Sequence, residues 1–310
     1  MYAARTEQYG SSSLSTTENK YLSIQVCDET SALESVVVGL ANDLGPIYPI
    51  TPKIKMHQQQ GTLPLEQDLK REIDALARLL EEQGITVYRP RNIPLQDQMY
   101  PRDIACVIDD VWVRARMAKK SRVQEYEGIQ YLVNQINPSK ICIPPDGALL
   151  EFGDCVQYKD TIFLGQSDRT NHEGYRFLQQ SFPHKEVIPL DLVVSDDPQT
   201  NVLHLDCIFQ PVGVDRAVMC EQGFLSRPEA VYDIFGAKNI FNISAEEKNH
   251  LFPNVLSLAP DQVVSEKSFV RLNTQLRKWE IMTLEVSYTE SSKLDGLIRC
   301  STLPLRRRVL

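Results

Sequence analysis

The stretch CVQYKDTIFLGQSDRTNHEGYRFLQQSFPHKEVIPLDL, residues 155–192, contains the unit from which the fold is predicted. Its first part, 155–165, reads as two extended segments separated by a turn at Lys159-Asp160. Residues 171–181 then predict a helix, and residues 186–192 predict a further strand. Strand, hairpin and helix recur in this order about every 40 to 60 residues, a period typical of a propeller or an array of αβ units.

The remaining elements are predicted from the same periodicities. In the helix predicted over 65–83, Leu69, Ile73 and Leu76 fall on one face, and Gly84 follows as a C-terminal cap. A doubly wound sheet is the alternative architecture, but no G-x-G-x-x-G or Walker motif opens a helix, so nucleotide chemistry is not indicated. The other predicted helices cover 123–136, 228–235, 245–250 and 269–279, and the other strands 35–40, 86–90, 103–108, 111–115, 140–144, 202–209, 216–220, 239–243, 254–259 and 281–288.

The composition, with 42% hydrophobic and 24% charged residues among 310, is that of a soluble globular protein. A net charge of −8 argues against a nucleic-acid partner, and the absence of a long apolar run argues against a membrane span. Residues 1–20 are polar and rich in Ser and Thr, so we expect a flexible lead-in, without a secretory signal, to a single domain over 21–310. The seven cysteines form no C-x-x-C pair, which favours a reducing cytoplasm over a disulfide framework or zinc ribbon.

A cysteine near the C-terminus is the first candidate for chemistry. In LDGLIRCSTLPL, residues 294–305, Cys300 lies between a glycine turn and an apolar run. Three arginines, residues 306–308, follow this stretch directly. Because cationic neighbours lower a thiol pKa, Arg299 and residues 306–308 favour an activated nucleophile. The alternative is an ordinary core cysteine in an apolar strand.

Ionisable residues also stand at predicted strand ends, where active sites form on αβ scaffolds. These are Asp103, Glu151, Asp154 and the pair His204 and Asp206, which period-2 alternation would place on one face of a strand. Each has a structural alternative, such as a turn cap, a loop carboxylate or a hydrogen-bonded core histidine. A metal site is the rival for the whole set, but no second histidine lies at ligand spacing, so we predict neither a metal nor a cofactor.

Five motifs together resemble one known group of enzymes. In chain order these are Arg102-Asp103, Glu151-Phe152-Gly153-Asp154, Ser167-Asp168-Arg169-Thr170-Asn171, His204-Leu205-Asp206 and Gly296-Leu297-Ile298-Arg299-Cys300. Their order and spacing are similar to those of the guanidino-group-modifying enzyme superfamily, which includes arginine deiminases, dimethylarginine dimethylaminohydrolases, arginine dihydrolases and amidinotransferases. The resemblance runs from about Ser35 to the C-terminus. It implies a five-bladed α/β propeller.

The resemblance also implies a role for each matching residue. Cys300 would be the nucleophile, His204 the acid and base, and Asp103 and Asp206 the clamps on the guanidinium. Glu151 would be the carboxylate that orients His204 and contacts the guanidinium. Carboxylates suit this task because a planar, resonance-stabilised guanidinium must be fixed in its plane before it can be attacked. The residues expected to bind the rest of the substrate are Arg169, Arg122, Asp154 and Arg299, although a solvated charge at a helix start is the alternative for Arg122.

The function implied is hydrolysis of arginine or a close free guanidino compound, giving citrulline and ammonia, or ornithine, ammonia and carbon dioxide after two rounds. An amidinotransferase is the alternative within the superfamily, and a catalytically silent propeller used as a binding module is the alternative outside it. Phe152 stands where many relatives have glycine, and Asp206 favours an unsubstituted guanidinium over a methylated one. Residues 39–45 and 53–65 are candidate lids. A homo-oligomer is compatible with the sequence, which does not determine the oligomeric state.

Overall fold

A computed structural model describes residues 20–308, so almost all of the predicted lead-in lies outside the described part. The strands are β1 (Leu33–Val38), β2 (Thr86–Tyr88), β3 (Ala105–Ile108), β4 (Val111–Arg114), β5 (Ile141–Cys142), β6 (Cys155–Tyr158), β7 (Thr161–Gln166), β8 (Glu186–Asp191), β9 (Phe209–Val212), β10 (Arg216–Met219), β11 (Ile240–Asn242), β12 (Leu256–Ala259), β13 (Gln262–Glu266), β14 (Met282–Val286) and β15 (Thr302–Arg307). The helices are α1 (Pro52–Gln60), α2 (Glu66–Glu82), α3 (Pro101–Ile104), α4 (Gln130–Val133), α5 (His172–Ser181), α6 (Glu229–Phe235), α7 (Ala245–Asn249), α8 (Val270–Lys278) and α9 (Thr289–Ser292). Among the described helices, none is long and apolar enough to cross a membrane.

The strands form five three-stranded sheets of one design. Each central strand pairs antiparallel with the strand before it in the sheet and parallel with the strand after it, and the parallel step is bridged by helical segments. The sheet orders are β15-β1-β2, β3-β4-β5, β6-β7-β8, β9-β10-β11 and β12-β13-β14. The predicted five-bladed α/β propeller is confirmed.

The two ends of the described chain meet in the first sheet. β15 runs antiparallel to β1, with Val38 opposite Thr302 and Val36 opposite Pro304. Val36 and Val38 have no exposed surface, so the joint is part of the core. Because of this pairing, the residues just before β15, including Cys300, are held beside the other blades.

Helix α2 shows why the sequence folds as it does on the outside of a blade. Leu69, Ile73, Leu76 and Leu80 recur every three or four residues and are fully buried against the first sheet and its neighbours. Burying each such side chain stabilises the fold by about 1.5–3 kcal/mol. Gly84 follows the helix with a φ of 78°, as the predicted helix end at this glycine requires.

Two predicted elements are wrong in type. Residues 202–209 do not form one strand: His204 is extended, a 3₁₀ turn covers Leu205–Cys207, and β9 starts at Phe209. The backbone departs from the sheet because Leu205 N–H donates to Asp154 Oδ1 at 3.0 Å, a partner that no neighbouring strand supplies. The helix predicted over 123–136 is mainly a 3₁₀ segment, Lys120–Ile129.

Four elements were not predicted, namely α1, α3, β13 and α9, and α3 takes the first two residues of the strand predicted over 103–108. The candidate lid over 53–65 is largely α1. Its N-cap is Thr51, whose hydroxyl accepts a hydrogen bond from Ile54 N–H, and its C-cap is the left-handed Gly61. Its first residue is Pro52, which a helix tolerates at that position.

The five turns that lead into β3, β6, β9, β12 and β15, called here the leading turns, meet at the centre of the propeller. They carry Asp103, Asp154, Asp206, Asn254 and Cys300 in chain order. Neighbouring turns are joined by hydrogen bonds, including Arg102 N–H to Cys300 O at 3.2 Å and Arg299 N–H to Asn254 O at 3.3 Å. A pseudo-fivefold ring of turns therefore gathers side chains from distant parts of the sequence.

Candidate functional site

A buried histidine lies between two carboxylates at this centre. His204 Nε2 is 3.1 Å from Glu151 Oε2, and His204 Nδ1 is 3.8 Å from Asp103 Oδ1. All three side chains are at most 3% exposed. Burial lowers the pKa of His204, but the charges of Asp103 and Asp154 and the hydrogen bond to Glu151 outweigh it and raise that pKa to about 9. The imidazole is therefore protonated at neutral pH.

Two facing polar atoms in this group have no partner among the described residues. They are Asp103 Oδ1 and His204 Nδ1, and both are buried. Gly153 lies against them, and a Cβ there would be 2.6 Å from His204 Nδ1 and 2.9 Å from Asp103 Oδ1. Phe152, which departs from the glycine of many relatives, is fully buried in an apolar cluster, whereas the position that approaches the histidine keeps its glycine.

Both carboxylate oxygens of Glu151 have hydrogen-bond partners within the protein. Its Oε1 accepts from Ala118 N–H at 2.9 Å, and its Oε2 accepts from Arg169 Nη1 at 3.3 Å and faces His204. Burial raises the pKa of Glu151, but the hydrogen bond to His204 and the charge of Arg169 outweigh it and lower that pKa to about 2. The carboxylate is therefore ionised and fixes the imidazole.

Arg122 is buried instead of solvated. Its guanidinium makes a two-point contact with Glu125, at 2.7 and 2.9 Å, and its Nη1 donates to Asp103 Oδ2 at 2.7 Å. The spacing of three residues between Arg122 and Glu125 matches one turn of the 3₁₀ segment in which both lie. Arg122 thus occupies one oxygen of Asp103 and leaves the other free.

Cys300 lies in the leading turn of β15 and is 2% exposed. Its Sγ is 3.4 Å from Asp206 Oδ2 and accepts from Asn254 Nδ2 at 3.1 Å. Burial, followed by the charges of Asp206 and Asp103, raises the pKa of the Cys300 thiol well above its ordinary value. The negative charge of Asp103 therefore raises the pKa of both the Cys300 thiol and the His204 imidazole.

The expectation that the neighbouring arginines lower the thiol pKa is wrong for this arrangement. The guanidinium of Arg299 forms ion pairs with Glu29, at 2.8 Å, and with Asp206, also at 2.8 Å, so its charge is balanced by these carboxylates. The basic tail runs along β15 away from the site, where Arg306 and Arg308 pair with Glu34.

Two residues expected to bind substrate have their side chains directed at other protein groups. Arg299 has no exposed surface, and besides its carboxylate partners it donates to Cys155 O at 2.8 Å. Asp154 accepts from Leu205 N–H through Oδ1 and from Ser167 Oγ through Oδ2. Their polar atoms are thus committed to protein partners, which gives both a supporting position instead of a substrate-facing one. Burial raises the pKa of Asp154 to about 7.

The space next to the site is divided by the segment 44–52. On one side, a cavity of about 50 Å³ is lined by apolar residues of this segment and by Asp97, Arg122 and Glu125. On the other side, a wider cleft of about 450 Å³ reaches Arg169. Arg169 Nη2 donates to Ile50 O at 3.2 Å, so this arginine, which is expected to bind substrate, also holds the segment in place.

Several residues of the site were missed by the motifs. Glu29 and Asn254 carry no local signal, because neither belongs to a motif of the resemblance. Glu125 did have one, since it follows Arg122 at a spacing at which helical side chains meet. Asp97, which is half-buried beside Arg122, accepts a hydrogen bond from Met99 N–H at 3.0 Å.

Asp103, Glu151 and His204 could each offer one ligand atom to a metal, and these atoms lie within 4.8 Å of one another. However, Arg122 and Arg169 already place positive charge against the two carboxylates. Such a group is better suited to an organic cation with N–H donors than to a metal ion.

Comparison with known proteins agrees with this chemistry. The model of the family described as N,N dimethylarginine dimethylhydrolase, eukaryotic, matches residues 54–307. The chain is 26% identical to the uncharacterized protein YkgA of Bacillus subtilis over 69% of this chain and 71% of that protein. It is 22% identical to mitochondrial glycine amidinotransferase of Danio rerio, covering 91% and 82% of the two chains.

A solved structure shows the same fold. SxtG, an amidinotransferase from Microseira wollei in the saxitoxin biosynthetic pathway, superposes with a TM-score of 0.77 and 19% identity, covering 93% of this chain and 98% of that one. The family model covers most of the chain, from α1 to the end of β15. The protein therefore belongs to the dimethylarginine dimethylhydrolase family, within the guanidino-group-modifying superfamily that its five motifs resemble.

Proposed function

We propose that the protein is a cysteine-dependent hydrolase of the guanidino group of arginine or a close free guanidino compound. The observation that carries the proposal is the pair of buried, unpartnered atoms Asp103 Oδ1 and His204 Nδ1 beside the thiol-bearing turn. A carboxylate oxygen with no donor and a ring nitrogen with no partner are disfavoured in a protein interior unless a ligand completes them. A bound guanidinium would supply N–H donors and a positive charge to Asp103 Oδ1, and its departing nitrogen would accept the proton that His204 Nδ1 carries.

Substrate binding would also prepare the nucleophile. The unliganded thiol is held neutral by burial and by Asp206 and Asp103. A guanidinium bound between these two carboxylates offsets their charge, so the pKa of Cys300 falls when the substrate arrives and the thiol gives its proton to solvent water. The thiolate then faces the electrophilic carbon that it attacks.

In the first step, the Cys300 thiolate forms a bond to the guanidinium carbon, and the bond from that carbon to the leaving nitrogen breaks. Protonated His204 gives its proton from Nδ1 to the departing nitrogen, which leaves as ammonia. The product on the enzyme is a covalent thiouronium on Cys300. Glu151 keeps the ring orientation through Nε2.

In the second step, water attacks the same carbon. The now neutral His204 takes one proton from this water as the carbon–oxygen bond forms. The carbon–sulfur bond then breaks to release the thiolate, and the new hydroxyl loses its proton to solvent water, so that a neutral ureido group remains. Arginine would give citrulline, and a second round on the ureido carbon would give ornithine, ammonia and carbon dioxide. Asp206 supports an unsubstituted guanidinium because its Oδ2 lies 3.4 Å from the thiol, and a carboxylate there would accept hydrogen bonds from N–H groups that methylation removes.

An amidinotransferase is the second candidate. Its support is the likeness to the Danio rerio enzyme over most of both chains and the shared fold with SxtG. In that case an amine instead of water would attack the Cys300 adduct, with His204 taking the proton of the amine.

The test measures the adduct and the products separately. The protein is incubated with arginine, with N,N-dimethylarginine, or with arginine plus glycine, then quenched in acid and weighed intact by mass spectrometry. We expect an adduct with arginine that is lost in Cys300→Ser and kept in Cys220→Ser, a buried cysteine outside the site.

Citrulline or ornithine should form from arginine without added glycine. Product that appears only with glycine would establish the transferase instead, and product from dimethylarginine alone would overturn the assignment of substrate. An enzyme that forms neither adduct nor product would fit the silent binding module.

A further inference from the structure

The leading turn of β12 has no role in the proposed hydrolysis of the guanidino group. The other four leading turns supply carboxylates, the histidine and the thiol, whereas this turn supplies Asn254. Asn254 has no exposed surface, and its N–H is bonded to Leu251 O at 2.9 Å. By position in the repeat, its side chain belongs to the same central group.

The side chain of Asn254 bridges the leading turns of β9 and β15. Its Oδ1 accepts from Cys300 N–H at 3.1 Å, while its Nδ2 lies 3.1 Å from Cys300 Sγ and 3.4 Å from Asp206 O. Its backbone oxygen accepts from Arg299 N–H. Every polar atom of the side chain is thus directed at the nucleophile or at its neighbouring carboxylate residue.

These contacts fix which way the amide points. Cys300 N–H can only donate, so the atom of Asn254 that it meets must be the oxygen. The NH₂ group is then on the side of the sulfur, and it donates to Sγ and to the carbonyl of Asp206. Asp206 Oδ2, at 3.4 Å from the sulfur, can accept only while the thiol keeps its proton.

We propose that Asn254 is a catalytic residue that donates a hydrogen bond to the Cys300 thiolate in both half-reactions. This proposal rests on the proposed function, because it assigns a role in that same covalent cycle. Before attack, Asn254 holds the sulfur in place through its two contacts with Cys300. When the carbon–sulfur bond breaks in the second step, the same N–H receives the developing negative charge on sulfur.

The charges around the sulfur explain why a neutral donor is needed. Asp206 and Asp103 oppose a thiolate, and a bound guanidinium offsets them only while it retains its charge. The ureido product is neutral, so that compensation is lost as the thiolate is expelled. Asn254 and the backbone N–H of Leu297 are the groups that favour the ionised sulfur at every stage.

The test uses iodoacetamide alkylation of Cys300 without substrate across a neutral-to-alkaline pH series, followed by peptide mass spectrometry. In Asn254→Ala, alkylation at neutral pH should slow by on the order of tenfold, because a hydrogen bond to a charged group is lost. Asn254→Asp keeps the acceptor for Cys300 N–H but loses the donor, and it should also move the profile to higher pH. Asn273→Ala, a buried asparagine that donates to Glu266 O in the last blade, should leave the profile unchanged.

The outcomes separate a chemical role from a structural one. If Asn254→Ala does not fold, the alkylation profile of Asn254→Asp is the test, since this variant preserves the hydrogen bond from Cys300 N–H to the side chain of residue 254. A wild-type alkylation profile in a folded Asn254 variant would overturn the proposal, even if stability fell. Because the probe needs no guanidino substrate, this result is independent of whether arginine is hydrolysed.

Discussion

Replacing Arg299 by methionine distinguishes a supporting residue from a substrate-binding one. Arg299 neutralises Glu29 and Asp206 inside the protein, and all three side chains are at most 3% exposed. Burial raises the pKa of Glu29, but Arg299 and Arg102 outweigh it and lower that pKa to about 2 from an ordinary 4.5. At about 1.4 kcal/mol per pKa unit, the ionised carboxylate contributes roughly 3 kcal/mol to the free energy of unfolding. This contribution is complete above pH 4.5 and is lost as the pH falls through about 2.

Removing Arg299 leaves two buried carboxylates short of a partner, which is expected to destabilise the fold by about 3–5 kcal/mol. For a chain of this size the melting temperature should fall by roughly 6–10 °C. Urea denaturation and thermal melting near neutral pH measure both quantities. The matched control is Arg277→Met, which breaks a half-exposed pair with Glu285 and should change stability by no more than about 1 kcal/mol. If Arg299→Met melts like the wild type and only the KM for arginine rises, Arg299 contacts substrate and our placement of it is wrong.

Three further predictions concern the catalytic side chains. Because the pKa of His204 is about 9, the rate of adduct formation in rapid-quench experiments should fall as the pH rises through that value, and a rate that increases there would contradict His204 as the acid. Gly153→Ala should abolish product formation while the protein remains folded by circular dichroism, since its Cβ would stand 2.6 Å from His204 Nδ1; retained activity would show that the turn has room to move. Asp206→Asn should speed iodoacetamide alkylation of Cys300 without substrate, because the carboxylate opposes the thiolate. The same substitution should lower kcat/KM for arginine at least about 100-fold, because in the proposed reaction this carboxylate also binds the guanidinium. Alkylation rate and kcat/KM that change in the same direction would refute this double role.

The fold was predictable where local pattern and tertiary packing agree. The apolar spacing of Leu69, Ile73 and Leu76 allows only one buried helical face, and α2 has it. The prediction failed at residues 202–209, where an apolar, β-like sequence is bent because Leu205 N–H donates a hydrogen bond to Asp154, a residue some fifty positions earlier. The periodicity of a short stretch of sequence cannot reveal a hydrogen-bond partner so distant along the chain.

The site was predictable to the extent that its residues form local motifs. The resemblance named Asp103, Glu151, His204 and Cys300, and the structure gathers them on neighbouring leading turns. It could not supply Glu29, whose role comes from Arg299 and Arg102, both distant from it in the sequence. Asn254 had a weaker signal: it lies roughly one repeat of fifty residues from both Asp206 and Cys300, where the fifth blade should contribute.

The arrangement of arginines gives the central carboxylates protein partners in the absence of a substrate. Asp103 and Asp206 each face a protein guanidinium, Arg122 and Arg299 respectively, at 2.7 and 2.8 Å. An isolated buried carboxylate would take up a proton, and a carboxylate fully surrounded by arginines would have no oxygen left for a ligand. At Asp103 the balance is visible, because Oδ2 is bonded to Arg122 while Oδ1 is free. The protein's own arginines therefore set the charge of the site so that one more guanidinium, that of the proposed substrate, would complete it.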